Sequence, residues 1–547
     1  MPQLRLGPVL RYCGETEATV WVETDEPCDV EVLGHAARTF CVDGHHYALV
    51  IVRGLEPGTS TEYGVALDGE HVWPSPDWDW PPSVIRTVKP GERLEIVFGS
   101  CRVAVPHHPP YALSKDRDPR GRELDALYGF ALRMGERPAE EWPHLLLWLG
   151  DQVYADEVSP GALQFIRPRR DVREPPGEEV ADFEEYTRLY WEAWSDPAVR
   201  WLLSTVSSAM IFDDHDVHDD WNTSKAWVEK MRAKPWWNRR IVGAFMSYWL
   251  YQHLGNLSPR HLEEDHVYRH AREGEDVTAM LREFAFQADR ETAGTRWSYC
   301  RDMGRTRVMV VDSRAGRVLE PGNRSMLDDG EYEWVADHTV GGFDHLIFAT
   351  TLPLLLSRAM HYFEAWNERV CDGAWGSAAA HAGERIRQGL DLEHWSAFGK
   401  SFRRAVELVT EVAAGRRGDP PATVLALSGD VHHAYLAEVA FRRGERVKSA
   451  VYQAVCSPFR NPLDAHERGA IKFSASKPAE LIAQALATAA GVPDPGIRWR
   501  FNGDLTFDNQ VGVLEIDGRS ARLRIEKAVP GDDGRPALET TLERRLS

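Results

Sequence analysis

The stretch Leu145–Glu157, LLLWLGDQVYADE, decides the fold. An apolar run stops abruptly at Gly150-Asp151, and Tyr154 follows three positions after the acid. A short apolar run bounded by a turn signal fits a strand buried inside a sheet. An acid at its carboxyl end stands where open α/β sheets bind their ligands.

The same design recurs on both sides of this stretch. FGSCR ends an apolar run at Cys101 and Arg102, and IFDDHDVHDDWN ends one at Asp213, Asp214, His215 and Asp216. VVDSR ends one at Asp312 and Arg314, and LSGDVHH ends one at Asp430, His432 and His433. The runs HLIFATTLP and SAVYQAVCSP add two further strands. Helical periodicity is expected around Glu123–Met134, Phe183–Val206, Ala226–His253, Leu354–Trp366, Trp395–Ala414 and Pro478–Ala489. Strands alternating with helices predict an α/β domain, expected over residues 91–547. Its tail, VGVLEIDGRSARLRIEKA, reads as a β-hairpin turning at Asp-Gly.

Residues 1–90 read differently. EATVWVET, CDVEVLG, HYALVIVRGL and TEYGVALDG are short, β-branched and aromatic, with Gly, Pro and Asp between them. They predict a small antiparallel sandwich that serves as a packing or spacing module. The turn LEPGTSTEY resembles the fibronectin type III pattern. The Pro- and charge-rich stretch IRPRRDVREPPGEEVAD is expected to be a surface loop.

Composition narrows the function. A net charge of -20 over 547 residues argues against a general nucleic-acid binder and against stable association with an anionic membrane. A small anionic substrate remains open, because a metal can invert the field inside one site. The amino terminus shows no signal pattern, and no apolar run reaches transmembrane length. Cys13, Cys28, Cys41, Cys101, Cys300, Cys371 and Cys456 are odd in number and without CxxC spacing, so a cytoplasmic location is expected. Twenty tryptophans suggest Trp-rich packing or a partly aromatic cleft.

Five strands thus deliver donors to one rim. Burying so many carboxylates needs a countercharge, and a metal cluster supplies it. Each piece alone has a plainer reading: Gly-Asp is commonly a turn, a lone Cys a small hydrophobe, and an acidic run a solvated face. Their recurrence after successive strands favours the metal.

At these residues the chain resembles the PhoD-like alkaline phosphatases, a branch of the calcineurin-like metallophosphoesterases. GSCR, GDQVY, FDDHD and SGDVH match the branch's motifs in order, and VVDSR resembles its D-[ST]-R segment. The resemblance implies a four-layer α-β-β-α sandwich behind an N-terminal β-sandwich. It implies that Cys101, Asp151, Tyr154 and His432 hold one metal, and that Asp151 bridges to a second held with Asp214 and Asp430. Thiolate and phenolate suit Fe³⁺, and an all-oxygen second site suits Ca²⁺, with Mg²⁺, Mn²⁺ or Zn²⁺ as competitors. It further implies hydrolysis of a small phosphorylated substrate by a metal-activated hydroxide, with His215, Asp214 and Arg102 catalytic and with Arg102 and Arg314 on the phosphate. A phospholipase D-type phosphodiesterase on the same site is the nearest alternative. A noncatalytic protein with a structural metal is the second.

Overall fold

The computed structural model describes residues 1–291, 294–442, 444–532 and 534–547. Two mixed sheets form the middle of the molecule. The first has six strands in the order Ser208–Ile211, Leu145–Leu149, Leu94–Gly99, Gln510–Asp517, Ser520–Pro530 and Pro536–Arg545. Its first three strands are parallel, with Ile96 opposite Leu145 and Leu146 opposite Ser208, so their carboxyl ends lie side by side. The second has seven strands in the order Tyr299–Met303, Thr306–Val311, His345–Thr350, Thr423–Ser428, Ala450–Val455, Tyr435–Phe441 and Ile497–Phe501.

Side-chain alternation explains the layering. Val308 and Val310 share a core with Val97 and Leu147 of the other sheet. Their neighbours Met309 and Val311 instead pack with Trp395 and Phe402 under the outer helices. Both faces of the strand are therefore apolar, which is why it reads as a continuous run. Each such buried side chain stabilises the fold by roughly 1.5–3 kcal/mol.

Two expected helices are broken where proline dictates. Phe183–Val206 is two helices, Phe183–Trp194 and Pro197–Thr205, because Pro197 starts a new first turn capped by Asp196. Ala226–His253 becomes Lys225–Arg232 and Trp237–Ser247, divided at Pro235, and continues into a π-helical turn over Tyr248–His253. Several helices carried no periodic signal. Ala465–Ser474 buries no residue and is fixed instead by the Asp464–Glu467 capping box. The tail hairpin turns at Gly518 as expected, and Pro536–Arg545 adds a third strand to it.

The N-terminal sandwich has two four-stranded sheets, one of Leu4–Cys13, Glu17–Thr24, His45–Arg53 and Phe40–Val42. The other holds His35–Arg38, Asp29–Val32, Val65–Leu67 and Glu70–Trp73. The strand Val84–Arg86 still pairs with Ser60–Glu62, whereas Leu94–Gly99 already belongs to the six-stranded sheet. The sandwich is packed hard against its neighbour: the Trp21 ring lies 5.9 Å from Trp194, and Tyr63 donates to the Ser204 carbonyl. Among the described residues no helix is long and apolar enough to cross a membrane.

Candidate metal centre

Local backbone geometry aims the rim. Gly150, at φ +134, lets the chain turn between strand and Asp151, and a Cβ there would lie 3.1 Å from that of Ser100. Gly429 is tighter still, since a Cβ would meet the Ser100 Oγ and the Leu149 carbonyl. Cys101, Asp430 and His432 all adopt positive φ, an unfavourable state for side chains other than glycine. Such strain concentrates where side chains are held for function.

The turns bring together donors from four strand ends. Cys101 Sγ, an Asp151 oxygen and a His432 ring nitrogen lie within 4.8 Å of one another, and so do oxygens of Asp151, Asp213 and Asp214. Asp151 belongs to both groups. It is fully buried, and neither of its carboxylate oxygens has a hydrogen-bond partner. Burial first, then Asp214, Asp213 and Asp216, drives its pKa well above the usual carboxylate range despite His215. Burial likewise raises the Cys101 thiol, with Asp151 and Asp430 adding to it. Tyr154 is raised by burial, Cys101 and Asp151, while its hydroxyl accepts from Asn461 Nδ2 at 3.1 Å. Burial pushes His432 down to about 3, leaving a neutral imidazole with a free lone pair. A buried cluster of sulfur, phenol, imidazole and unpartnered carboxylate fits a metal, which would supply the missing positive charge.

His215 sits beside this cluster, its ring 4.8 Å from that of Tyr154. Its Nδ1 meets the Asp156 carboxylate at 3.0 and 3.1 Å. Burial would lower the His215 pKa, but Asp156, Asp151 and Asp214 outweigh it and hold the ring protonated. Asp156 also accepts from the Asp219 amide at 2.7 Å, so it ties two loops together.

Both arginines expected on the phosphate are buried and occupied. Arg314 is fully buried, paired to Asp213 and, at 3.0 Å, to Asp214, with Glu393 at 2.5 Å and Asp430 at 3.5 Å. Arg102 pairs with Asp125 at 2.8 Å and donates to the Ala193 carbonyl at 3.1 Å. Burial opposes the Glu393 charge, yet Arg314 and Arg317 hold its pKa at about 2. Sequence reasoning missed Asp156, Asn461 and Glu393. Asp156 lay inside the opening stretch, two residues past Tyr154, where its spacing could have been noticed. Glu393 follows no strand, and Asn461 stands beyond one with nothing to mark it.

Residues 1–85 match a domain of unknown function, DUF7800. Residues 128–308 match the family model described as PhoD-like phosphatase. No curated protein matches the chain. A solved structure titled "Structure of PhoD" is similar over 99% of this chain and 92% of its own, with a TM-score of 0.58 and 13% identity. At that identity the likeness speaks for the fold, shared from the N-terminal sandwich to the tail. The segment 128–308, which supplies two of the four strand ends at this rim, is thus similar to the PhoD-like phosphatases, and the whole chain shares the fold of the solved structure.

Proposed function

We propose that the chain hydrolyses phosphate esters at a two-metal centre. The observation that carries this reading is Asp151, fully buried, common to both donor groups and without a protein partner for either oxygen. Cys101, Asp151, Tyr154 and His432 would hold one ion, and Asp151, Asp214 and Asp430 the other. The anionic sulfur and phenol donors favour Fe³⁺, and the oxygen donors favour Ca²⁺ over Mg²⁺, Mn²⁺ or Zn²⁺. When bound, such ions polarise the phosphoryl group and make a water more acidic.

The protein's own residues do the rest. His215, held in its cationic form by Asp156, carries a proton to the departing ester oxygen. Arg314 holds Asp214 and, at 3.5 Å, Asp430 in place by pairing with them, while Asp213 and Glu393 share the same guanidinium. Arg102, next to Cys101 in the chain, is held in place by Asp125 and lines a crevice that reaches Tyr154. Release of nitrophenolate from a phosphate monoester and a diester, with and without chelator, tests the reading. Turnover of neither by the metal-replete protein would refute it. Iron bound by Tyr154 and Cys101 should also colour the protein, and Tyr154→Phe should remove most of that absorption. A colourless, iron-free, fully active preparation would exclude Fe³⁺ while leaving hydrolysis intact.

A further inference from the structure

Most of the twenty tryptophans are buried, but Trp191 is 41% exposed. It stands on the helix Phe183–Trp194 at the wall of a cleft of about 370 Å³. Arg102, Ala104, Ser159 and Glu192 line this cleft and also a narrow crevice that reaches Tyr154. The cleft therefore adjoins the candidate metal centre on its Tyr154 side.

The chemistry of the walls restricts what fits. The Arg188 guanidinium lies 4.3 Å from the Trp191 ring centroid, so a flat cation and a flat indole stand together. Arg188 is paired to Glu192 at 2.9 Å, His107 to Asp196 at 2.9 Å, and Arg102 to Asp125 at 2.8 Å. Each basic side chain named here thus has an acid partner, which suits an uncharged group better than a second phosphate. An exposed indole offers stacking to any aromatic ring, and stacking of this kind tolerates differences in the ring itself.

We propose that this cleft receives the alcohol arm of the ester, and that it takes an uncharged aromatic ring stacked on Trp191. The assignment rests on the phosphoesterase reading and names the substrate class for that site. Trp191 stands on the surface, so its replacement leaves the core untouched.

Calorimetric titration of the metal-replete protein with 3-phenylpropylphosphonate and with propylphosphonate tests this, because neither can be hydrolysed and the two differ only in the ring. The ring-bearing phosphonate should bind about tenfold tighter, the size expected for one stacked ring. Trp191→Ala should abolish that preference and Trp191→Phe should keep most of it. Equal affinities in the wild type, no binding of either, or a preference that survives Trp191→Ala would overturn the proposal. So would a Trp191→Ala protein that changes only its molar mass in solution, since Trp191 would then serve a protein interface. Nitrophenyl ester hydrolysis, measured on the same preparations, reports separately on the phosphoesterase reading. A ring preference without hydrolysis would refute that reading, and with it the ester arm, and leave only the stacking of an aromatic ring on Trp191 standing.

Discussion

Asp151 and Asp213 stand just beyond the ends of neighbouring strands in one sheet, and both are fully shielded from solvent. Asp213 lies against Arg314, which also pairs with Asp214 and Glu393. Asp151 has no such neighbour, and both of its oxygens are left without a partner. An unpaired buried carboxylate costs several kcal/mol, so a chain keeps one only where something outside the chain pairs with it. The two acids differ in how far the protein matches them: one oxygen of Asp213 is paired to Arg314 and its other is left free within the donor group, whereas neither oxygen of Asp151 is matched.

Breaking the balanced side should give the largest effect. Arg314→Met strands Asp213 and Asp214 without their cation, leaves Glu393 to Arg317 alone, and should cost about 3–5 kcal/mol in urea unfolding. Arg314→Lys should lose less, because it keeps the charge but not the planar fork. An Arg314→Met protein as stable as the wild type would erase the distinction between the two acids.

The unbalanced side should respond in the opposite sense. Asp151→Asn should lower turnover by at least about a hundredfold and reduce bound metal on elemental analysis. Once chelated, however, the variant should be more stable than the chelated wild type, because it no longer buries an unpaired charge. Burial raises the Asp151 pKa, so the chelated wild type should gain stability as pH falls from neutrality, whereas the Asn variant should lack that gain. Identical pH profiles of chelated wild type and variant would contradict this.

Asp156 sharpens the comparison, since besides the Asp219 amide it holds His215, the side chain to which the proposed reaction assigns a proton. Asp156→Asn leaves His215 its hydrogen bond but withdraws the charge that keeps it protonated. Turnover of alkyl phosphates should fall about 10–100-fold, and that of nitrophenyl esters much less. Equal losses on both would take His215 out of proton transfer.

The smallest effect is expected far from the rim, where His45 joins the N-terminal sandwich to the helix Phe183–Trp194. Burial disfavours its charge, but Glu184 at 2.8 Å and Glu23 at 3.0 Å raise its pKa to about 9. A raised histidine stabilises fully below its unfolded pKa of roughly 6.5 and loses that contribution as pH climbs through the folded value. His45→Gln should therefore cost about 1–2 kcal/mol at mildly acid pH, allowing for the part-exposed Glu184. The gap to the wild type should close above the folded pKa. A gap that persists there would show that the contact is one of packing rather than charge.

The sequence by itself determined the strand register of function: where each apolar run stops and which polar residue stands past its end. Cys101, Asp151, Asp214, Asp430 and His432 could be named because strand burial and turn chemistry are local properties, written in consecutive residues. The sandwich at the amino terminus and the Asp-Gly hairpin at the tail were legible for the same reason. Helix ends at Pro197 and Pro235 were legible too, had the prolines been weighed against periodicity. What tertiary structure decided was pairing across long separations. Arg314 finds Asp213 from 101 positions away and Glu393 from the other direction, and only that meeting makes it a buried counterion. Asn461 on Tyr154, Glu393 on Arg314 and Trp191 beside Arg102 are likewise products of packing. A side chain's own neighbours in sequence set its backbone, but its charge state and its use depend on the groups that the fold brings within a few ångströms.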